Sequence, residues 1–415
     1  MSGGPVLLSQ DEYTGWGREM DRNALIEQAR QLFMERFGGE PMACGIAPGR
    51  VELLGNHTDY NEGFVLPAAI DRGIAIAGSL REVPRARVVS TLQDKTAVFD
   101  PANPEREPET AWANYVKGIV DEMNKAGLLV GGFDAAIASS VPLGAGVSSS
   151  AALLVSTARL LLALYHDDFR VEPMELAKLA RRAENNFVGA PVGILDQFSS
   201  VFGVAGHALF LDCRTLEHRT LRLPTNEAAI MIADSGVKHA LAEGGGYRER
   251  RAQCEAAARW FAERTGKPIK ALRDVTPELL EEFAPEMDSI LEKRARHIVY
   301  ENKRVEMGAA ALDAGNVAAF GETMSNTHES CRRFFENSAE EVDTLVEIAQ
   351  AQSGVYGAKL TGGGWGGCAV ILHHPDVTKA VGQALTDGYT AKYGRAPVLL
   401  ETAAAQGAES VRFES

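Results

Sequence analysis

Two carboxylates, an arginine and a run of serines are the residues of this chain best suited to chemistry. Glu184 and Asp196 flank a stretch containing Gly189 and Gly193, so the intervening chain can turn back and bring the two acids together. A carboxylate beside a phosphate can hold Mg2+, a hard cation that takes oxygen ligands and usually keeps one or two protein groups alongside phosphate and water. Glu184 and a serine would supply those ligands, leaving Asp196 to receive the proton of an attacking hydroxyl. Arg50, in a Pro-Gly-Arg turn, can pair bidentately with a carboxylate or hold a phosphate. Such pairing keeps Asp196 ionised at neutral pH and makes it a weaker base. Phosphoryl transfer tolerates that, because positioning and charge stabilisation supply most of its rate. Spacing alone also allows an ordinary alternative: one capping and one exposed helix carboxylate, and an arginine at a surface turn.

The serines occupy the stretch Val141 to Leu154, where Gly144, Ala145, Gly146 and Val147 lead into Ser148, Ser149 and Ser150, and an apolar run from Ala151 to Tyr165 follows. Glycines let backbone approach a ligand closely, serines cap a helix, and a buried helix behind them turns its positive end toward the loop. That order suits an anion, phosphate above all. It is not a Walker A loop, since the Gly-x-x-x-x-Gly-Lys-Ser/Thr pattern is missing and no lysine lies in it. A plain helix start with an Ala-rich interior is the bland alternative. A second polar block, Pro48 to Pro67, sets Asn56, His57, Asp59 and Asn61 among small residues. His57 and Asp59 lack a second His or Cys at metal-ligand spacing, and the mix fits a hydrogen-bonding wall for a polyhydroxylated ligand better.

The elements that must position these groups follow from periodicity. Asp21 can cap a helix with Leu25, Ala29, Leu32, Phe33 and Phe37 inward, closed by Gly38-Gly39. A strand from Ala43 to Ile46 leads into the Arg50 block, and β-type runs follow at Ile74 to Ala77 and Arg87 to Thr91. Trp112, Val116, Ile119 and Met123 mark a helix. Phe133 to Ser139 alternates as a strand that feeds the serine loop. Helix is expected over Glu172 to Asn186, and strands over His207 to Asp212 and Ala228 to Ala233. Beyond Pro224 long helices dominate: Arg248 to Arg264, Met287 to Ala314, Asn316 to Ser330 and Ala339 to Gln352. A second glycine cluster, Lys359 to Cys368, lies between strand-like runs. Mixed strands and helices without a βαβ period favour an α+β fold.

At 415 residues, two domains are expected. A formal charge of -14 argues against nucleic acid, whose phosphates need a basic face. The 5 cysteines are an odd number without close pairs, so they define no disulfide or zinc framework, and free thiols in a reducing cytoplasm are expected. The longest apolar run carries Arg159 and is shorter than the roughly 20 residues of a membrane span. A cytoplasmic protein is the reading.

Pro48 to Pro67, Pro142 to Ala152 and Lys359 to Cys368, in that order, resemble the three motifs of the GHMP small-molecule kinases, and the first resembles the signature of the galactokinase family within them. The similarity continues through Ala183 to Gly189, Gly193 to Gln197 and Tyr247 to Cys254. The resemblance implies transfer of the γ-phosphoryl of ATP to the anomeric hydroxyl of a hexose, galactose first. It implies Asp196 as base with Arg50 assisting, and Ser150 and Glu184 holding Mg2+. The backbone of Gly144, Ala145, Gly146, Val147, Ser148, Ser149 and Ser150 would bind the ATP phosphates. Asn56, His57, Thr58, Asp59, Asp196 and Tyr247 would hold the sugar. The implied architecture is an N-terminal domain of the ribosomal S5 type over residues 1–224 and a C-terminal α/β domain over 225–415, with the site in the cleft between them, in a family often monomeric. Two departures stand out: Asn56 replaces the glutamate usual in the family, and the chain before Tyr247 (Glu243 to Gly246) is one glycine longer. Losing a carboxylate partner should weaken sugar binding by roughly tenfold or more. Alternatively, it would suit a different sugar, such as galacturonate or an N-acetylated galactosamine. A galactokinase-like sensor without activity is a further alternative, although Asp196, Arg50, Glu184 and the serines are all present.

Overall fold

The computed structural model describes residues 22–141, 146–166, 171–238 and 245–414. Helix α1 (Arg22–Phe37) leads to the long strands β1 (Ala43–Leu54) and β2 (Phe64–Arg81), followed by β3 (Ala86–Ser90), β4 (Gln93–Phe99), α2 (Asn114–Lys125) and β5 (Gly132–Ser139). Next come α3 (Ser149–Tyr165), α4 (Pro173–Arg182), α5 (Leu195–Phe202), β6 (His207–Asp212) and β7 (His218–Arg222). β1 and β2 pair antiparallel from Ala43↔Gly78 to Leu54↔Leu66, and the chain between them carries His57 and Asp59. The sheet runs β5-β3-β4 beyond β2, with β3 parallel to β5, and β6 pairs with the start of β2. β1 is longer than the sequence suggested. Pro48 and Gly49 break its register locally, and the strand resumes at Arg50↔Ala69, so the Arg50 block is strand rather than loop.

Helix α3 lies directly on this sheet because glycine lets it. A Cβ on Gly45 would stand 2.1 Å from the carbonyl oxygen of Ser156, and one on Gly78 would stand 2.9 Å from Leu160. That close approach brings the amino end of α3 to the edge of β1, beside Arg50. Backbone contacts complete the seating: Arg50 N–H donates to the Val147 carbonyl at 3.1 Å.

The second half builds a four-stranded antiparallel sheet in the order β11-β8-β10-β9, from β8 (Ala229–Lys238), β9 (Val355–Thr361), β10 (Gly366–His373) and β11 (Val398–Thr402). Period-two alternation gives it two buried faces. Ile230, Ile232, Val370 and Leu372 join the main core, whereas Met231, Ala233, Ala369 and Ile371 pack under Val342, Leu345, Val346, Val381 and Leu385 of two covering helices, Glu340–Gln350 and Thr378–Tyr393. The terminal strand β12 (Glu409–Arg412) returns to the first sheet beside β1. β4, β7, β12 and the short helix Pro277–Phe283 carry no strong pattern in sequence. No helix among the described residues is long and apolar enough to cross a membrane.

Candidate active site

β1 presents Arg50 and Glu52 on one face, two residues apart. The Arg50 guanidinium is almost fully buried and grips Asp196 Oδ1 through Nε at 2.8 Å and Nη2 at 2.7 Å. Its Nη1 donates to the Gly146 carbonyl at 2.7 Å. Gly146 has a φ of +71°, and a Cβ there would stand 3.3 Å from the Thr361 carbonyl. The first strand, the serine loop and the glycine cluster Lys359 to Cys368 therefore meet around one arginine.

Ser148 begins α3 in the left-handed region, with φ 60°. It makes no side-chain cap to the helix, contrary to the expected role of the serines; its hydroxyl donates to Asp196 Oδ2 at 2.5 Å. Asp196, on the first turn of α5, thus has one oxygen on a cation and the other on a hydroxyl beside a helix amino terminus. Glu184 lies in the π-helical turn Ala183–Val188 that continues α4, a local irregularity of the kind common at functional sites. It is buried and accepts from Gln197 Nε2 at 2.5 Å. Burial first, then the charge of Asp196, push its carboxyl up to about 7 against hydrogen bonds from Ser150 and Gln197. Ser150, Glu184 and Asp196 are therefore neighbours.

A cavity of about 200 Å³ opens in front of Asp196 and is lined by Arg50, Glu52, His57, Asp59, Gly193 and Tyr247, with Val192, Leu195, Gly362 and Gly363 completing it. This is smaller than the roughly 300–1,000 Å³ of a drug-sized pocket and suits one small polar ring. His57 takes a strained φ of 62° that aims its ring inward, where its Nε2–H donates to the Gly363 carbonyl at 3.1 Å and its Nδ1 accepts from the Tyr60 hydroxyl at 3.0 Å. Burial holds its pKa down to about 3, so the ring works as a neutral imidazole. Burial, and then Asp196, raise Asp59 to about 6. A Cβ on Gly193 would fall 1.7 Å from Asp59 Oδ2, so any side chain there would have to displace Asp59.

A second cavity, about 240 Å³, lies at the α3 amino terminus. Trp112, Tyr115, Leu92, Leu153, Ile74 and Ile137 give it apolar walls, and Ser149 and Ser150 also line it. A larger cavity of about 510 Å³ lies beneath α1 near Asp71 and Arg72, but it contains none of these groups.

Three family models match this chain: the galactokinase galactose-binding signature over residues 31–80, the GHMP kinases N terminal domain over 114–204 and the GHMP kinases C terminal domain over 309–391. A galactokinase of Roseiflexus sp. (strain RS-1) is 41% identical over 384 residues, 92% of this chain and 96% of that one. The chain belongs to the galactokinase family. The crystal structure of Lactococcus lactis galactokinase complexed with galactose is similar at TM-score 0.87 and 34% identity, covering 94% of this chain and 99% of that one. Methanococcus jannaschii mevalonate kinase, at 17% identity and TM-score 0.64 over 89% of this chain and 99% of its own, shares the fold.

Within this galactokinase-family site, Arg50, His57, Asp59, Asp196 and Tyr247 surround one cavity, while Ser149 and Ser150 border the other. Val147 is buried against the strand through its carbonyl. Gly144 and Ala145 lie outside the described residues, as do Glu243 and Gly244 of the longer segment before Tyr247. Asn56 and Thr58 stand behind the cavity wall rather than in it. Both side chains are fully buried, and Thr58 Oγ1 bonds to the Gly55 and Phe64 carbonyls at 2.8 and 2.5 Å. Sequence reasoning missed Glu52, Gly193 and the Trp112–Tyr115 slot as lining groups. Reading Arg50 as a strand residue would have exposed Glu52, its neighbour on the same face. Nothing local marks Trp112, whose partners Ile74, Leu92, Ile137 and Leu153 come from four other segments.

Proposed function

We propose that this chain is an ATP-dependent kinase that phosphorylates galactose at its anomeric hydroxyl, yielding galactose 1-phosphate and ADP. The observation that carries this reading is the α3 amino terminus, where Ser148 bonds to Asp196 of a polar cavity and Ser149 and Ser150 line a second cavity with apolar and aromatic walls. A sugar fits the first and an adenine ring the second. The serine backbone and the helix dipole suit the phosphates. Asp196 takes the proton of the anomeric hydroxyl, whose oxygen bonds to the γ-phosphorus, and the bond to ADP breaks with its electron pair leaving on ADP. The attacking hydroxyl replaces Ser148 as donor to Asp196. Arg50 keeps that carboxylate aimed, holding its Oδ1 through two N–H groups.

Mg2+ fits the residues present. Glu184 is a buried carboxylate near Asp196, hydrogen-bonded by the Ser150 hydroxyl, and one carboxylate with one hydroxyl is a usual protein share for this ion. Ser150 and Glu184 would hold it, where it would offset phosphate charge. Five free cysteines, four of them buried, suit a reducing cytoplasm.

The test is ADP release coupled to an indicator, measured with galactose, galacturonate, N-acetylgalactosamine, glucose and arabinose. Galactose-dependent turnover is expected. Sugar binding without turnover on any of the five would point to a sensor instead. Gly193→Ala probes the sugar wall separately. Its methyl must displace Asp59, so the galactose KM should rise roughly tenfold or more while the KM for ATP stays within twofold. An unchanged galactose KM would remove Asp59 from the sugar site.

A further inference from the structure

The carboxylate missing at position 56 is present at position 52. Glu52 lines the sugar cavity, is only 5% exposed, and its Oε2 accepts the Asn56 side-chain amide at 3.1 Å. Among the described residues no protein donor reaches Oε1. Asn56 Nδ2 also donates to the Gly362 carbonyl at 3.3 Å, its backbone N–H donates to Glu301 at 3.2 Å, and its carbonyl accepts from His297 at 3.0 Å. That amide is thus clamped and can hold Glu52 in one orientation. Behind the wall, the fully buried Lys359 Nζ donates to the Glu52 backbone carbonyl oxygen at 2.8 Å, and burial outweighs the pull of Lys359 and Arg50 and pushes the Glu52 carboxyl up.

We propose that Glu52 is the specificity-determining residue of the sugar site, accepting a galactose hydroxyl on Oε1 while Asn56 acts as its positioning residue from behind the wall. This rests on the galactose-kinase reading above. Glu52 stands two residues along β1 from Arg50, about 7 Å of strand, whereas Arg50 holds the base that faces the anomeric hydroxyl. The hydroxyl Glu52 receives is therefore one remote from the reacting carbon.

The test compares wild type, Glu52→Gln, Asn56→Ala and the exchanged double variant Glu52→Asn with Asn56→Glu, using galactose and its 2-, 3-, 4- and 6-deoxy derivatives. Glu52→Gln should raise the galactose KM roughly tenfold to a hundredfold, with the KM for ATP and the melting temperature little changed. One deoxy sugar should be poor for wild type yet lose nothing further in Glu52→Gln, because the hydroxyl and its acceptor are the same interaction. Asn56→Ala should raise the galactose KM less than Glu52→Gln does. The exchanged variant should recover part of the loss if it folds. Equal loss for every deoxy sugar in wild type and Glu52→Gln, or a galactose KM within twofold of wild type, would overturn the assignment. Wild type without galactose turnover would instead sink the functional reading, and the two failures are distinct.

Discussion

Asp196→Asn is expected to lower kcat by roughly 10²–10⁴-fold, the usual contribution of a positioned general base, with the KM for ATP within a few-fold of wild type. The substitution keeps the shape of the side chain. An amide oxygen still accepts from Arg50, which otherwise rests on the Gly146 carbonyl, and Ser148 can accept from the new amide nitrogen. What disappears is the ability to take a proton and the negative charge opposite Arg50. The buried guanidinium then lacks its counter-charge, so some loss of stability accompanies the loss of rate. Steady-state kinetics with both substrates varied, alongside a binding measurement for ATP, separates these effects. Turnover within tenfold of wild type would remove Asp196 from the base role. A loss of ATP affinity equal to the loss of kcat would instead assign it to nucleotide binding.

Asp196 and its partners were readable in the sequence because each sits in a short block of unusual composition. Glu184 and Asp196 flank glycines, the serines follow small residues, and Arg50 follows Pro-Gly. The order of elements was also readable, since helices such as Val317–Ser330 and strands such as β6 show clear periodicity and local start signals. What could not be read is which side chain faces the cavity. Asn56 and Glu52 look equally polar in sequence, and only the pairing of β1 with β2 and the grip of the helix Ser289–Asp313 decide that one is wall and the other backing. The role of Ser148 was also hidden. Serine at a helix start normally caps, yet here Asp196, 48 positions away, outcompetes the local N–H groups. The aromatic slot depends on Ile74, Leu92, Trp112 and Ile137 converging from separate strands and turns, a long-range arrangement that no local pattern records.

The turn that carries His57 and Asp59 is held from the other half of the chain, and Glu301 is its main anchor. On the helix Ser289–Asp313, His297 and Glu301 lie one turn apart on the same face, and Asn302 adjoins them. Glu301 is fully buried. Its Oε1 accepts from Gly55 N–H at 2.7 Å and Asn56 N–H at 3.2 Å, and its Oε2 accepts from Thr327 at 2.9 Å and pairs with Arg304 at 2.7 Å. Gly55 itself cannot be replaced easily: at φ +99°, a Cβ on it would stand 2.7 Å from Val65 Cα. Glu301→Ala should therefore cost about 3–5 kcal/mol of unfolding free energy, since it strands Arg304 and several donors without a partner. Glu301→Gln should cost less but still raise the galactose KM, because the turn it anchors positions both His57 and Asn56. The pH dependence has a definite sign. Burial alone would raise the Glu301 pKa, but Arg304, His297 and the Gly55 N–H outweigh it and hold the carboxyl below its ordinary 4.5. A depressed folded-state pKa gives stability that is complete above about 4.5 and is lost as pH falls through the folded value. Denaturant titrations should accordingly find wild type more stable than Glu301→Gln at pH 7, with the gap closing as pH drops below about 4.5. Equal stability of the two at pH 7 would show that the turn holds its shape without this carboxylate.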